Sequence, residues 1–256
     1  DGKLYVLNHV AHAIEVFDPA ATGDTAPVRR IIGGMSYPSG FDFDTTTQEI
    51  FVANYSGYIT VYNASDSGIV TPKRTIAKYN AMTVAVSGNE LFVTTYTEPA
   101  VYVYNKTTGN LLRTIQGANT GLSGNLYGVA ISDGELFISD AVNNAIHVFN
   151  LTDSGDTEPK RTISGSNTLL GMPRELHIAD NKLYIANKNN SVLIFGLMAS
   201  GNVAPVQVLS GTETTFNAIQ GVTVAESVTD DPPETPLLAA GALYRTSATE
   251  ATVRFV

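Results

Sequence analysis

Residues 135 to 150 read ELFISDAVNNAIHVFN: a short apolar run, an Asn-rich break, and a second apolar run. The runs have the length and the β-branched and aromatic content of strands. The break suits a tight turn, because Asn tolerates the left-handed backbone that such turns require. The stretch therefore reads as a β-hairpin. It recurs as KLYVLNHVAHAIEVFD from Lys3, EIFVANYSGYITVYN from Glu49, ELFVTTYTEPAVYVYN from Glu90 and KLYIANKNNSVLIFG from Lys182. Taking Leu4, Ile50, Leu91, Leu136 and Leu183 as equivalent, the copies are spaced by 46, 41, 45 and 47 residues, an interval that belongs to solenoids and propellers.

Each hairpin leads into a loop and a third run: TGDTAPVRRII, SGIVTPKRTIA, TGNLLRTIQG, SGDTEPKRTIS and SGNVAPVQVLS. Proline just ahead of that run fits an outer strand, whose first residue need not donate to a ladder. A fourth run follows a Gly-rich connection: GFDFD from Gly40, TVAVS from Thr83, GVAIS from Gly128, ELHIA from Glu175 and GVTVA from Gly221. Its small residues suit a strand beside a crowded axis. Four strands every 45 residues or so predict an all-β, five-bladed β-propeller over residues 1–226. The chain opens on the second strand of a blade, and GVTVA has no second strand after it. Residues 217 to 226 are thus expected to close the ring as the inner strand of the blade made by residues 3 to 32.

The phrase LYVAN…N-I-VY…SG…P-RTI-G…GVA, as it stands across residues 3 to 226, resembles the NHL and lactonase-like (YVTN) propeller repeats of bacterial extracellular proteins. The resemblance implies a propeller used either as a binding module or as a hydrolase or lyase. After Glu226, SVTDDPPETP (227–236) reads as a Pro- and Asp-rich linker. In the tail, 237–256, the closing ATVRFV resembles the opening strands of an immunoglobulin- or fibronectin-like module. Twenty residues cannot close a sandwich. The tail is expected to be a truncated second domain, strands packed on the propeller, or a strand donated to a neighbouring subunit, with self-assembly as the consequence of the last.

Composition narrows the partners. The 256 residues carry 24 acidic and 15 basic side chains, a formal charge of −9, which lacks the basic footprint needed for nucleic acid. With no cysteine there is no disulfide, thiolate metal site or cysteine nucleophile. The longest apolar stretch, PLLAAGALY at 236–244, is too short to cross a bilayer, so no membrane insertion is expected. Low charge with abundant Asn, Thr, Ser and Gly points to a secreted, cell-surface or periplasmic protein of a bacterium or archaeon, and Asp1 suits the start of a processed chain. Five N-x-S/T triplets, at Asn54, Asn63, Asn105, Asn150 and Asn189, read as turn residues before glycan acceptors.

Propeller sites sit where the outer-to-inner connections open on the axial funnel. At the inner-strand entrances the column reads Gly40, Thr83, Gly128, Glu175, Gly221, and two residues on it reads Asp42, Ala85, Ala130, His177, Thr223. One acid in the entrance column is a poor cage for a hard cation that wants six or more oxygens. No metal site or cofactor is therefore expected, a calcium ion held in the funnel being the one exception left open. Asp42, Arg174, Glu175 and His177, with Asn217 and Gln220 from the last connection, form the candidate binding set. His9 and His12 are read as turn residues before a metal clip, and His147 as a blade-face residue. The outer-strand column Arg29, Arg74, Arg113, Arg161, Gln207 is read as edge charge against sheet association. Phe17, Tyr62, Tyr104, Phe149 and Phe195 are read as inter-blade packing. The expected function is a non-catalytic extracellular binding or assembly module with a protein or glycan ligand. The alternative is a lactonase- or lyase-type enzyme using Asp42, Glu175 and His177.

Overall fold

The computed structural model describes residues 3–217, 219–223 and, as backbone, 251–255. Its strands follow the sequence pattern. From the axis outward, the second blade runs Pro38–Asp44, Glu49–Asn54, Ile59–Asn63, Arg74–Ile76, and the third runs Ala81–Ser87, Glu90–Thr95, Ala100–Asn105, Leu111–Gln116. The fourth runs Leu126–Ser132, Glu135–Asp140, Ala145–Asn150, Arg161–Ser164, and the fifth Pro173–Ala179, Lys182–Asn187, Ser191–Gly196, Gln207–Ser210. Leu4–Asn8, Ala13–Phe17 and Arg29–Ile32 belong to the first blade. The result is a five-bladed propeller of four-stranded antiparallel blades.

The second strands of the second and fourth blades are buried on both faces, because each of these blades packs between two others. Tyr62 lies in the core shared by the first and second blades and Tyr104 in that of the second and third. Phe149 lies between the third and fourth blades, and Phe195 between the fourth and fifth. Four of the five recurring aromatics therefore pack between blades, while Phe17 is half-buried and belongs to none of these cores. Inner strands approach so closely that a Cβ on Gly128 would lie 2.5 Å from the Arg174 carbonyl oxygen, and one on Gly40 2.6 Å from Thr83 Oγ1. At those two positions glycine is a spatial requirement.

The outer edges of the first, third and fourth blades are covered by the chain itself. The loop of the next blade lays a short parallel segment along them: Gly68–Ile69 on Ile31 and Ile32, Gly155 beside Ile115, and Gly201 beside Ile163. The Gly155 N–H donates to Thr114 O at 2.7 Å, and the Gly201 N–H to Thr162 O at 2.7 Å. Such cover satisfies the exposed N–H and C=O row that makes a free edge adhesive. The column arginines are accordingly not free edge charges. Arg74 forks onto Glu49 (2.7 and 2.7 Å), Arg161 onto Glu135 (2.7 and 2.6 Å), and Arg113 onto Glu90. Each also donates to a carbonyl of the following blade: Lys106 O, Leu197 O and Asp153 O.

Ring closure differs from the sequence expectation. Leu4–Asn8 is paired on its inner side by Ala251–Phe255, antiparallel, with Leu4 opposite Phe255 and Asn8 opposite Ala251. Residues 219–223 form no strand there; they run against the fifth blade, with Ile219 and Val222 in its core cluster and the Glu175 N–H donating to Gln220 O at 3.3 Å. Residues 218 and 224–226 lie outside the described residues, as does the linker 227–236. The physical reason is in the tail itself. Its alternating end is a strand in search of an edge, the first blade offers one, and Ala251–Phe255 pairs with it in the propeller sheet.

Candidate functional site

A regular inner strand would turn alternate side chains away from the axis. In four blades it is not regular. The register with the second strand slips between Pro38 and Gly40, between Ala81 and Val84, between Leu126 and Val129, and between Pro173 and Leu176. The residues left over at these bulges are Ser39, Met82 and Thr83, Tyr127 and Gly128, and Arg174 and Glu175. A bulge re-aims side chains. All of these residues except Gly128 line a single cavity of about 380 Å³ at one end of the axis.

The wall is completed by Leu7 in the second strand of the first blade, by the residues just past second strands, His9, Tyr55 and Tyr96, and by Pro38 and Gln220. Tyr55 and Tyr96 meet edge to face at 5.6 Å, and Tyr96 and Tyr127 at 6.0 Å, so three tyrosines form a continuous arc. The Arg174 guanidinium lies 3.7 Å from the centroid of the Tyr127 ring. Burial pushes the Tyr127 hydroxyl above the usual phenol range, while Arg174 beside it pulls the other way. Arg174 is only 8% exposed, and its Nε has no hydrogen-bond partner among the described residues.

Buried polar residues at the second-strand ends hold this wall in place. Asn54 Oδ1 accepts from the Ser36 N–H at 2.8 Å, and Asn187 Oδ1 from the Gly171 N–H at 2.8 Å. Asp140 accepts from Ser123 N–H (2.9 Å) and Asn143 N–H (3.0 Å). Burial raises the Asp140 carboxyl, but His147, Asn143 and Ser123 outweigh it, and the group lies below the ordinary aspartate value. Backbone bonds then run around the rim: Tyr55 N–H to Tyr37 O, Asn80 N–H to Tyr55 O, Tyr96 N–H to Asn80 O, Asn125 N–H to Tyr96 O and Ala141 N–H to Asn125 O. The connection residues in this relay, Tyr37, Asn80 and Asn125, and their counterpart Met172, all have positive φ, between 49° and 58°.

Of the candidate set, Arg174, Glu175 and Gln220 come together in the cavity. Asp42 does not line it; its Oδ2 accepts from the Val86 N–H at 2.8 Å, tying the second blade to the third. His177 lies against Tyr184, ring centroids 6.4 Å apart, and Asn217 is exposed outside the cavity wall. His12 has φ 48° and shares its turn position with Asn144 and Asn190, at 51° and 63°, as the aligned hairpins imply. His9 Nδ1 sits 2.8 Å from Pro38 O. His147 is buried, with Nε2 3.6 Å from Asp140 Oδ2. Asn54 is fully buried, which removes it as a glycan acceptor. Among the described residues no group of three or more His, Asp or Glu side chains is placed to hold a metal ion. Tyr55, Tyr96 and Tyr127 are absent from the candidate set. Their signal is the column His9, Tyr55, Tyr96, Ala141, Lys188 just past the second strand, and the residue immediately before Gly128.

No family model matches the chain, and no curated protein matches it in sequence. Among solved structures it is similar to the crystal structure of the WD40 β-propeller domain of Doa1, at 10% identity and a TM-score of 0.59. What is shared is the fold. The match covers 82% of this chain, which spans 66% of that domain's length. In all, 1407 solved chains match, and a fold so widely used carries no particular activity with it.

Proposed function

We propose that this propeller is a non-catalytic binding module that takes its ligand at the tyrosine-lined mouth of the axial funnel. The observation that carries the reading is convergence: bulges in four blades deliver Ser39, Met82, Tyr127 and Arg174 to one cavity, where Tyr55 and Tyr96 meet them. Rigid tyrosines with two side-chain torsions, and an arginine stacked on one of them, make large contacts at low entropic cost. The rim supports it. Tyr37, Tyr58 and Tyr79 stand on the same face about half exposed, and Tyr58 and Tyr79 lie 5.2 Å apart. The repeat phrase supports kinship with NHL and lactonase-like repeats, and the composition supports an extracellular, cell-surface or periplasmic setting, in which the module binds a protein or a glycan.

Glycan and peptide arrays probed with the full chain and with a Tyr55→Ala/Tyr96→Ala variant test this reading. Binding that the double substitution removes, while the thermal melt is kept, is the expected result. Binding indifferent to both tyrosines overturns it, and so does lactone or cyclic-ester turnover above about 1 s⁻¹ that Glu175→Ala abolishes, since that is an ordinary enzyme rate.

A further inference from the structure

Arg174 is the feature that says most about the ligand. A guanidinium held more than nine-tenths buried normally has a carboxylate beside it, because an unpaired buried charge is costly. Four other arginines are paired with a carboxylate. Arg74, Arg113 and Arg161 fork onto Glu49, Glu90 and Glu135, and Arg30 reaches Glu15 at 3.2 Å. Among the described residues Arg174 has no carboxylate within ion-pair distance; it has the face of Tyr127 and the cavity. Its own neighbour Glu175 lines the same cavity but carries a partner of its own.

We propose that the funnel binds an acidic sugar, a pyranose carrying one carboxylate, with that carboxylate on Arg174 and the ring against the tyrosine arc. The inference rests on the reading of the funnel as a binding site. Three properties of the cavity select this class. Charge comes first: one guanidinium matches one monoanion, and a phosphate dianion beside Glu175 would be left under-neutralised. The lining comes second, since nine of the twelve residues around the cavity carry a polar head, from every side of the ring. A polyhydroxylated ring uses such groups, whereas a flat aromatic acid would leave them unpaired. The arc comes third. Tyr55, Tyr96 and Tyr127, packed edge to face, all line the cavity, and aromatic rings of this kind are the surface on which the C–H face of a pyranose packs. A volume of about 380 Å³ holds one or two sugar units.

Calorimetry on the full chain with methyl α-galacturonide, its neutral twin methyl α-galactoside, and benzoate decides the matter. The uronide is expected to bind at least tenfold more tightly than the neutral twin, with the advantage shrinking in high salt. Arg174→Gln should erase that advantage, and Tyr96→Ala should weaken both sugars by about tenfold, each with the thermal melt checked. The comparison of twins on the unmodified protein needs no variant, so a misfolded R174Q does not blunt it. Equal affinity for the twins, an advantage that survives R174Q, or benzoate binding without the uronide each overturns the acidic-sugar assignment. In those cases array binding that depends on Tyr55 and Tyr96 keeps the funnel reading alive. Failure of all three probes together with tyrosine-independent array binding removes both.

Discussion

Arg74, Arg113 and Arg161 are one residue written three times, and their partners are written with them. Each guanidinium forks onto the glutamate that opens the second strand and lies 5.3 to 5.6 Å from the centroid of Phe51, Phe92 or Phe137. Where the second strand opens instead on a lysine, Lys3 or Lys182, the outer strand has Arg29, bonded to the Tyr5 hydroxyl at 2.8 Å, or Gln207. The arginine fork holds Glu49 and Glu135 at about 2, against the upward push of burial, with Lys73 and Lys160 adding to it. A carboxyl depressed in the folded state contributes stability that is complete above its unfolded value, near 4.5, and is lost as pH falls toward 2. Urea midpoints should therefore be flat from pH 7 to about 5 and then decline steeply. Glu135→Gln should flatten the decline and cost about 3–5 kcal/mol at neutral pH, because it strands a buried guanidinium. An E135Q midpoint within error of the parent would show that the latch is not what joins the fourth blade to the fifth.

At the scale of elements, the connections do more than link strands. Gly117, Gly165 and Gly211 each open a single 3-10 turn, closed by Thr120, Thr168 or Thr214 donating to the glycine carbonyl at 2.6 to 2.8 Å. Gly165 has φ 115°, and a Cβ on it would lie 2.5 Å from Asn202 Oδ1, so Gly165→Ala should cost about 1–3 kcal/mol in a denaturation series. The rim position before each inner strand is costlier still for what it holds. Asn80 and Asn125 tolerate positive φ, but Tyr37 and Met172 adopt it as bulky residues and remain exposed. Met172→Asn should therefore stabilise the protein by about 1 kcal/mol, read as a raised melting temperature; an unchanged or lowered one would mean that Met172 is not strained. Strands, hairpins and blade number were legible because apolar alternation repeats five times. The bulges were not, because one added residue, such as Ser39, leaves the alternation on either side intact. Without the bulges, Tyr127 reads as one more strand residue, and Tyr55 and Tyr96 as turn residues.

For the molecule as a whole, the decisive question is which segment closes the ring. Counting repeats pointed to residues 217 to 226, since they form the last copy of the inner-strand pattern. Counting edges gives another answer: Leu4–Asn8 needs a partner on its axial side, and Ala251–Phe255 supplies five register pairs to it. The repeat count could not see this, because ATVRFV belongs to no repeat and its role depends on an edge nearly 250 residues earlier in the chain. Two truncations separate the possibilities. Removing everything after Glu226 deletes the closing strand but keeps Ile219 in the fifth-blade core. Removing everything after Gly211 deletes both. If Ala251–Phe255 closes the ring, truncation after Glu226 should already strip hydrogen-exchange protection from the amides of Leu4–Asn8. It should also lower the melting temperature by several degrees, at about 2–4 °C for each kcal/mol lost. The shorter chain should then lose further protection in Lys182–Asn187 and Ser191–Gly196, whose outward face Ile219 covers. Protection of Leu4–Asn8 that survives truncation after Glu226 and disappears only after Gly211 would return the closing role to residues 217 to 226.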